Sequence, residues 1–180
     1  DTPTMIFNKP DAVEMPRING RVAYENMSFE YDPGQPVLQD IDLVIEPNTT
    51  IALVGPTGVG KTTMTNLLYR FYDPTEGRIT VDGLDLRDVE VKSLRRQMAV
   101  VLQDTFLFSA SIRENIRYGR LDATDDEIVE VSDAVGAHEF IMKLPEGYDT
   151  DVRERGGRLS VGQRQLISLA RALLADPRIL

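Results

Sequence analysis

The run Ile-Ala-Leu-Val-Gly-Pro-Thr-Gly-Val-Gly-Lys-Thr-Thr at positions 51–63 constrains this chain more than any other stretch. Ile51 to Val54 is continuously apolar, as expected of a strand buried on both faces of a parallel sheet. A glycine-rich turn follows at once. Thr63 to Phe71 then has helical spacing, with Met64, Leu67, Leu68 and Phe71 on one face. Strand, turn and helix are the setting that a G-x-x-x-x-G-K-[ST] loop requires, and Gly55 to Thr62 fit that pattern without a gap. Gly58 and Gly60 lack a Cβ, so the backbone can curl and turn its N–H groups inward. Those donors and the helix N-terminus favour a polyanion. Lys61 adds a cation able to reach outer phosphates, and the Thr62 hydroxyl suits Mg²⁺. The pattern points to a nucleoside triphosphate. It does not say which base is bound or what the bound energy drives.

Composition removes several alternatives. A chain of 180 residues is one domain with room for a subdomain, and its 42% hydrophobic content is enough for a core. Without cysteine it has no disulfide and no thiolate metal site. A net charge of −9 argues against a nucleic-acid face. No apolar run approaches the ~20 residues of a membrane span. The start, Asp1-Thr2-Pro3-Thr4, lacks the basic region of a signal peptide, so the chain reads as cytoplasmic.

Residues 1–19, with prolines and little periodicity, read as a linker or a cut end. Arg21 to Tyr31 and Val37 to Ile45 read as strands around the turn Asp32-Pro33-Gly34-Gln35-Pro36. A ring at Tyr31 can stack on a purine, or pack as a rim tyrosine on Val37. After the loop helix, Arg78 to Val81 is a strand, Asp82-Gly83 a hairpin turn, and Val91 to Arg96 a short helix. Met98 to Leu102 is a second continuous apolar run, predicting another buried parallel strand. Gln103 stands at its C-terminal end, where open α/β sheets bind ligands. Its amide oxygen could reach Mg²⁺ or water, or simply cap the strand.

Residues 111–149 read as a helical insertion in the α/β core. One helix starts at Ser111. Thr124 to Glu127 is a capping box, followed by an apolar face of Ile128, Val129, Val131, Ala134 and Val135, and Gly136 stops the helix. His138, the only histidine, opens a further short helix and reads as surface or structural. Arg158 to Gln163 precedes a strong helix with Leu166, Leu169, Ala170, Leu173 and Leu174 at helical spacing, and Ser160 is a good N-cap. This small, polar helix start is either a second anion site or a plain capped helix.

Together, Gly55–Thr63, Gln103 and Leu159–Gln163 resemble the Walker A motif, Q-loop and signature motif of ABC-transporter ATPase domains. The resemblance covers about residues 20 to 180. Phe106 to Ile116 and Glu154-Arg155-Gly156, the latter like an X-loop, resemble the exporter type, in which membrane helices precede the ATPase domain on one chain. The implied fold is α/β: a P-loop NTPase core with an N-terminal antiparallel β subdomain and a helical insertion, the C-terminal part of the core being missing. The implied divisions are a linker at 1–19, the β subdomain plus P-loop core at 20–110, the helical subdomain at 111–157, and the signature motif and helix at 158–180. The implied ligands are ATP and Mg²⁺, with Lys61 and Gln103 catalytic and Thr62 and Gln103 at the metal. ATP contacts are implied for Tyr31, Val37, Gly55, Pro56, Thr57, Gly58, Val59, Gly60, Lys61, Thr62, Thr63 and Gln103, Tyr31 being similar to the aromatic residue of the A-loop. Ser160, Gly162 and Gln163 would close over the ATP of a second, head-to-tail domain. Residues 103–116 and the insertion would face a transmembrane domain at the cytoplasmic side of the cell membrane.

Two departures from the family pattern stand out. Val161 replaces a glycine of the signature motif. The chain also stops at Leu180, where the Walker B strand would begin, so its aspartate, the catalytic glutamate and the switch histidine are not in it. Asp104 is the nearest carboxylate by sequence, with no reason to aim at the γ-phosphate. The expectation is a fragment that binds ATP weakly without turning it over, leaves apolar surface uncovered and tends to aggregate. Competing expectations are a regulatory nucleotide-binding module that never hydrolyses, and a soluble ABC ATPase of DNA repair or translation.

Overall fold

The computed structural model describes residues 6–103, 105–152 and 159–180. Asp104, the Glu154–Gly156 segment and Arg158 lie outside the described residues. The chain divides into two compact units, residues 1–98 and 99–180.

The first unit is built on an antiparallel sheet in the order β2-β1-β3-β4, with β1 Val22–Glu30, β2 Pro36–Ile45, β3 Glu76–Val81 and β4 Leu84–Asp85. Tyr24 stands opposite Leu43 on one side and Ile79 on the other. The expected hairpin joins β3 to β4: Asp82 and Gly83 both have positive φ, at 51° and 84°, as a two-residue turn of this hand requires. Helix α1 (Lys61–Leu68) buries Thr63, Leu67 and Leu68. Tyr24, whose hydroxyl donates to the Met64 carbonyl at 3.1 Å, ties α1 to β1, and burial raises its pKa. Helix α2 (Val91–Arg95) completes the unit and buries Ser93 and Leu94.

The second unit is helical: α3 (Ile112–Arg117), α4 (Asp125–Ala134), α5 (His138–Met142) and α6 (Val161–Leu174). Its core gathers Leu107, Ile112, Ile116, Ile128, Ile141, Ile167 and Leu174. The buried line of α6 runs through Ile167, Ala170 and Leu174, rotated from the leucine stripe expected from spacing, because Ile167 rather than Leu169 faces α3 and α4. Ser111 and Thr124 close capping boxes with Glu114 and Glu127, as the sequence predicts for Thr124. His138 is structural: its Nδ1 lies 2.9 Å from the Tyr148 hydroxyl.

The fully buried Asn115 organises this unit. Its Oδ1 accepts from Phe108 N at 2.9 Å and from Arg171 Nη2 at 2.8 Å. Its Nδ2 donates to the carbonyls of Phe108 and Ser111 at 3.0 and 2.9 Å. Arg171 also donates from Nε to the Asn115 carbonyl at 2.8 Å, and burial lowers its pKa. Where α3 ends, Gly119 meets α6 directly: a Cβ built on it would fall 2.0 Å from the Arg171 carbonyl oxygen.

Two expected parallel strands are absent. Residues 51–54 and 98–102 form no strand, and Val54 and Leu102 are 91% and 60% exposed. An apolar run marks a segment able to be buried, but a strand exists only beside a hydrogen-bonded neighbour. No strand among the described residues pairs with either run. Helix α1 also ends earlier than its apolar spacing suggests, at Leu68, because Arg70 takes a left-handed backbone.

Asn115→Ala strips partners from Phe108 N and the Arg171 guanidinium inside the core. It should destabilise the chain by about 2–4 kcal/mol, since groups left buried without partners bear the full desolvation cost. Denaturant titration of the two proteins measures this. A change below about 0.5 kcal/mol would show that the network contributes no stability.

Candidate nucleotide-binding site

In the first unit the loop 55–60 leads into α1. Gly58 and Gly60 have φ near +90°, at 89° and 90°, and Gly60 is the N-cap of α1. A Cβ on Gly60 would lie 2.7 Å from Leu38 Cδ2 and 3.4 Å from the Val37 carbonyl oxygen, so the loop rests on the start of β2 and only glycine fits there. This puts Val37 beside the loop. Lys61 Nζ donates to the carbonyls of Gly55 and Pro56 at 2.8 and 2.7 Å, folding its charge back across the loop mouth. Pro56, Thr57, Val59 and Thr62 are exposed around it.

The first turn of α1 carries no acidic residue, and its N-cap provides no side-chain hydrogen bond. Its leading N–H groups therefore have neither an intrahelical nor a capping partner, and the positive end of the helix dipole is uncompensated. That is the electrostatic requirement for holding a polyanion.

Tyr31, at the end of β1, is 47% exposed. Its hydroxyl lies 3.2 Å from Oγ1 of the buried Thr63, so the ring is anchored to the start of α1. The ring stands edge-on to Phe29 and Tyr72, with centroids at 4.7 and 5.1 Å. Phe29 could have been anticipated, since alternation along β1 places it on the side of Tyr31. Tyr72 arrives through a turn and carries no such sequence signal. The structure thus brings together Tyr31, Val37 and Gly55 through Thr63.

The remaining sequence-predicted residues belong to the second unit. Gln103 sits exposed in a bend. Ser160 is the N-cap of α6 and closes a capping box: its Oγ accepts from Gln163 N at 3.2 Å, and Gln163 Oε1 accepts from Ser160 N at 2.8 Å. Gly162 has open space where a Cβ would be. Val161 is 58% exposed, so the residue that departs from the family pattern turns its side chain to solvent. Among the described residues, no helix is long and apolar enough to cross a membrane.

The profile described as ABC transporter matches residues 38–180. A fatty acid ABC transporter ATP-binding/permease protein of Mycobacterium bovis is 52% identical over 93% of this chain and 26% of its own length. An ATP-dependent lipid A-core flippase of Syntrophus aciditrophicus is 50% identical over 97% of this chain and 29% of its own length. A solved structure of a bacterial Atm1-family ABC exporter with ATP bound superposes with a TM-score of 0.93 at 39% identity, covering 98% of this chain and 31% of that one. The chain therefore spans under a third of the length of each of these three proteins, of which one is named as an ATP-binding/permease protein, one as an ATP-dependent flippase and one as an ABC exporter. With the motif-bearing loop, the antiparallel sheet and the helical unit all matched, the chain belongs to the ABC transporter family.

Proposed function

We propose that this chain is the ATP-binding portion of an ABC exporter, coupling ATP binding and hydrolysis to export in the longer protein. The observation that carries this is the uncapped, acid-free start of α1 behind a loop in which Lys61 Nζ spans two backbone carbonyls. Those carbonyls hold the ammonium where phosphate oxygens would replace them, and charge-assisted bonds to phosphate are the stronger ones. The N–H groups of the loop and of the first turn of α1 receive the phosphate chain. Tyr31, steadied by Thr63, Phe29 and Tyr72, offers a ring face to adenine.

The chemistry of Thr62, an exposed hydroxyl at the second position of α1, fits Mg²⁺, and the exposed Gln103 amide in the other unit is an oxygen donor of the kind that Mg²⁺ accepts. Bound there, Mg²⁺ would neutralise charge on the outer phosphates. Ser160, Gly162 and Gln163 present the start of α6 to the nucleotide of a second ATP-binding domain, and the outward Val161 does not obstruct its backbone. The relatives' fused permeases support a transmembrane partner and a place at the cytoplasmic face of the cell membrane. Neither the loop nor the first turn of α1 carries a carboxylate to orient an attacking water. Residues 1–180 by themselves should therefore bind ATP and not turn it over. Ile51, Leu53 and Val54 in one unit, and Val100 and Leu102 in the other, are exposed, which supports a tendency of the isolated chain to aggregate.

Lys61→Ala removes charge-assisted contacts of roughly 1.5–3 kcal/mol each and should weaken MgATP binding at least about 10-fold. Equal affinities by calorimetry would overturn the site. Tyr31→Ala should cost about 1–3 kcal/mol of binding, and Tyr31→Phe less, since the ring stays and only the hydrogen bond to Thr63 is lost. Equal losses in the two variants would remove the ring as adenine platform. Ser160→Ala should leave ATP affinity of the monomer within about 2-fold, while reducing ATP-driven pairing in the full-length protein; a loss of monomer affinity would contradict action across a dimer. Phosphate release by purified 1–180 that depends on Lys61 and exceeds a buffer control would show that the chain hydrolyses ATP unaided.

A further inference from the structure

Helix α1 ends in a turn that normally calls for glycine. Arg70 N donates to the Leu67 carbonyl and Phe71 N to the Asn66 carbonyl, both at 2.9 Å, which is the paired pattern of a Schellman motif. The left-handed residue of that motif is Arg70, with φ 52°. A residue with a Cβ is strained there. Arg70 is also only 2% exposed, an unusual place for a guanidinium. Nothing within α1 asks for an arginine at this position.

Its side chain shows what does. Nε donates to Asp73 Oδ1 at 2.9 Å, Nη1 to the Val89 carbonyl at 3.0 Å, and Nη2 to the Phe7 carbonyl at 3.3 Å. Arg95 closes the same junction from α2, donating from Nε to the Tyr69 carbonyl at 2.9 Å and from Nη2 to the Arg70 carbonyl at 2.7 Å. The end of α1 is thus fastened to residue 7.

Residue 7 belongs to a segment that is itself bonded along its length. Asn8 Oδ1 accepts from Val91 N at 3.0 Å. Val13 N donates to the Asp88 carbonyl at 3.0 Å, and Glu90 N to the Val13 carbonyl at 2.8 Å. Met15 N donates to Ser93 Oγ at 2.8 Å, and Ile18 N to Gln97 Oε1 at 2.9 Å. Met15 and Ile18 are buried. Residues 6–18 form a strap over the α2 side of the first unit.

We propose that Arg70 is a positioning residue for the nucleotide site, pinning the far end of α1 to this strap so that nucleotide binding and strap order are coupled. The proposal rests on the ATP-binding role of the loop at the near end of α1. An eight-residue helix is a rod of about 12 Å, held by a packed face, so a displacement at one end is carried to the other. Coupling of this kind is reciprocal: a strap that biases the loop is itself biased by what the loop binds.

Hydrogen exchange of residues 1–180, with and without saturating MgATP, tests this, with calorimetry reporting binding separately. MgATP should slow exchange at Val13, Met15 and Ile18 by about 5-fold, the lower end of ordinary coupling between sites. Arg70→Gly suits the left-handed turn while deleting all three side-chain bonds. It should bind MgATP more weakly, and at saturation should lose the slowing at the strap while the β1–β2 ladder keeps its exchange rates. Arg70→Lys, which retains the charge but not the fork, should lose most of the slowing and serves where the glycine variant does not fold. Equal slowing in either folded variant, or binding to the parent chain with no change at the strap, would overturn the coupling. Should calorimetry show no MgATP binding by the parent, the nucleotide reading itself fails and takes the coupling with it.

Discussion

An α-helix begins with N–H groups that have no partner within it, and the treatment of these groups sets the character of each unit. Three helices of the helical unit close them with the chain itself, Ser111 with Glu114, Thr124 with Glu127, and Ser160 with Gln163 each forming a reciprocal box, while α5 has no side-chain cap but carries Glu139 in its first turn. At α1 the chain does the opposite. Gly60 occupies the N-cap without a side-chain oxygen, and no acid follows in the first turn. The loop before it is shaped by two left-handed glycines and closed by a lysine that bonds to its own carbonyls. The uncapped end keeps donors that an anion would pair, which supports the nucleotide site proposed for it.

Much of this was legible because it depends on residue types at short spacing. The loop 55–62, the Asp82-Gly83 hairpin, the Thr124 box and the Ser160 cap are local, and each was found where the sequence puts it. Strands 51–54 and 98–102 were not, because a ladder needs a neighbour that periodicity cannot supply. Of the face expected for α6, Ala170 and Leu174 are buried and Leu166 packs against the core, while Ile167 takes the place of Leu169, since these residues are equally apolar and only packing chooses between them. Arg70 was invisible for a different reason. Hydropathy assigns arginine to the surface, and its burial follows from carbonyls at positions 7 and 89 that no local pattern brings together.

Arg70 and Asn115 play equivalent parts in their units. Each is a buried polar side chain whose hydrogen bonds join segments far apart in sequence, 7 with 89 in one case and 108 with 171 in the other. Apolar contacts have no preferred direction, whereas a buried fork or amide accepts only one arrangement of its partners. These two residues define the register of the segments around them more sharply than the surrounding leucines and isoleucines can.

The contact at Gly119 carries a consequence for how sequences of this kind can vary. Its hydrogen stands where any other residue would put a carbon against the Arg171 backbone. Even alanine would force the end of α3 away from α6, and a close-packed interior passes such a shift on to Ile116 and Leu174. The adjoining Tyr118 is 60% exposed, and its ring lies beside Phe108 and the Arg171 guanidinium, contacts that another flat ring could keep. Neighbouring positions therefore differ in the substitutions open to them: one can exchange its ring for another, and its neighbour is a natural origin of temperature-sensitive alleles.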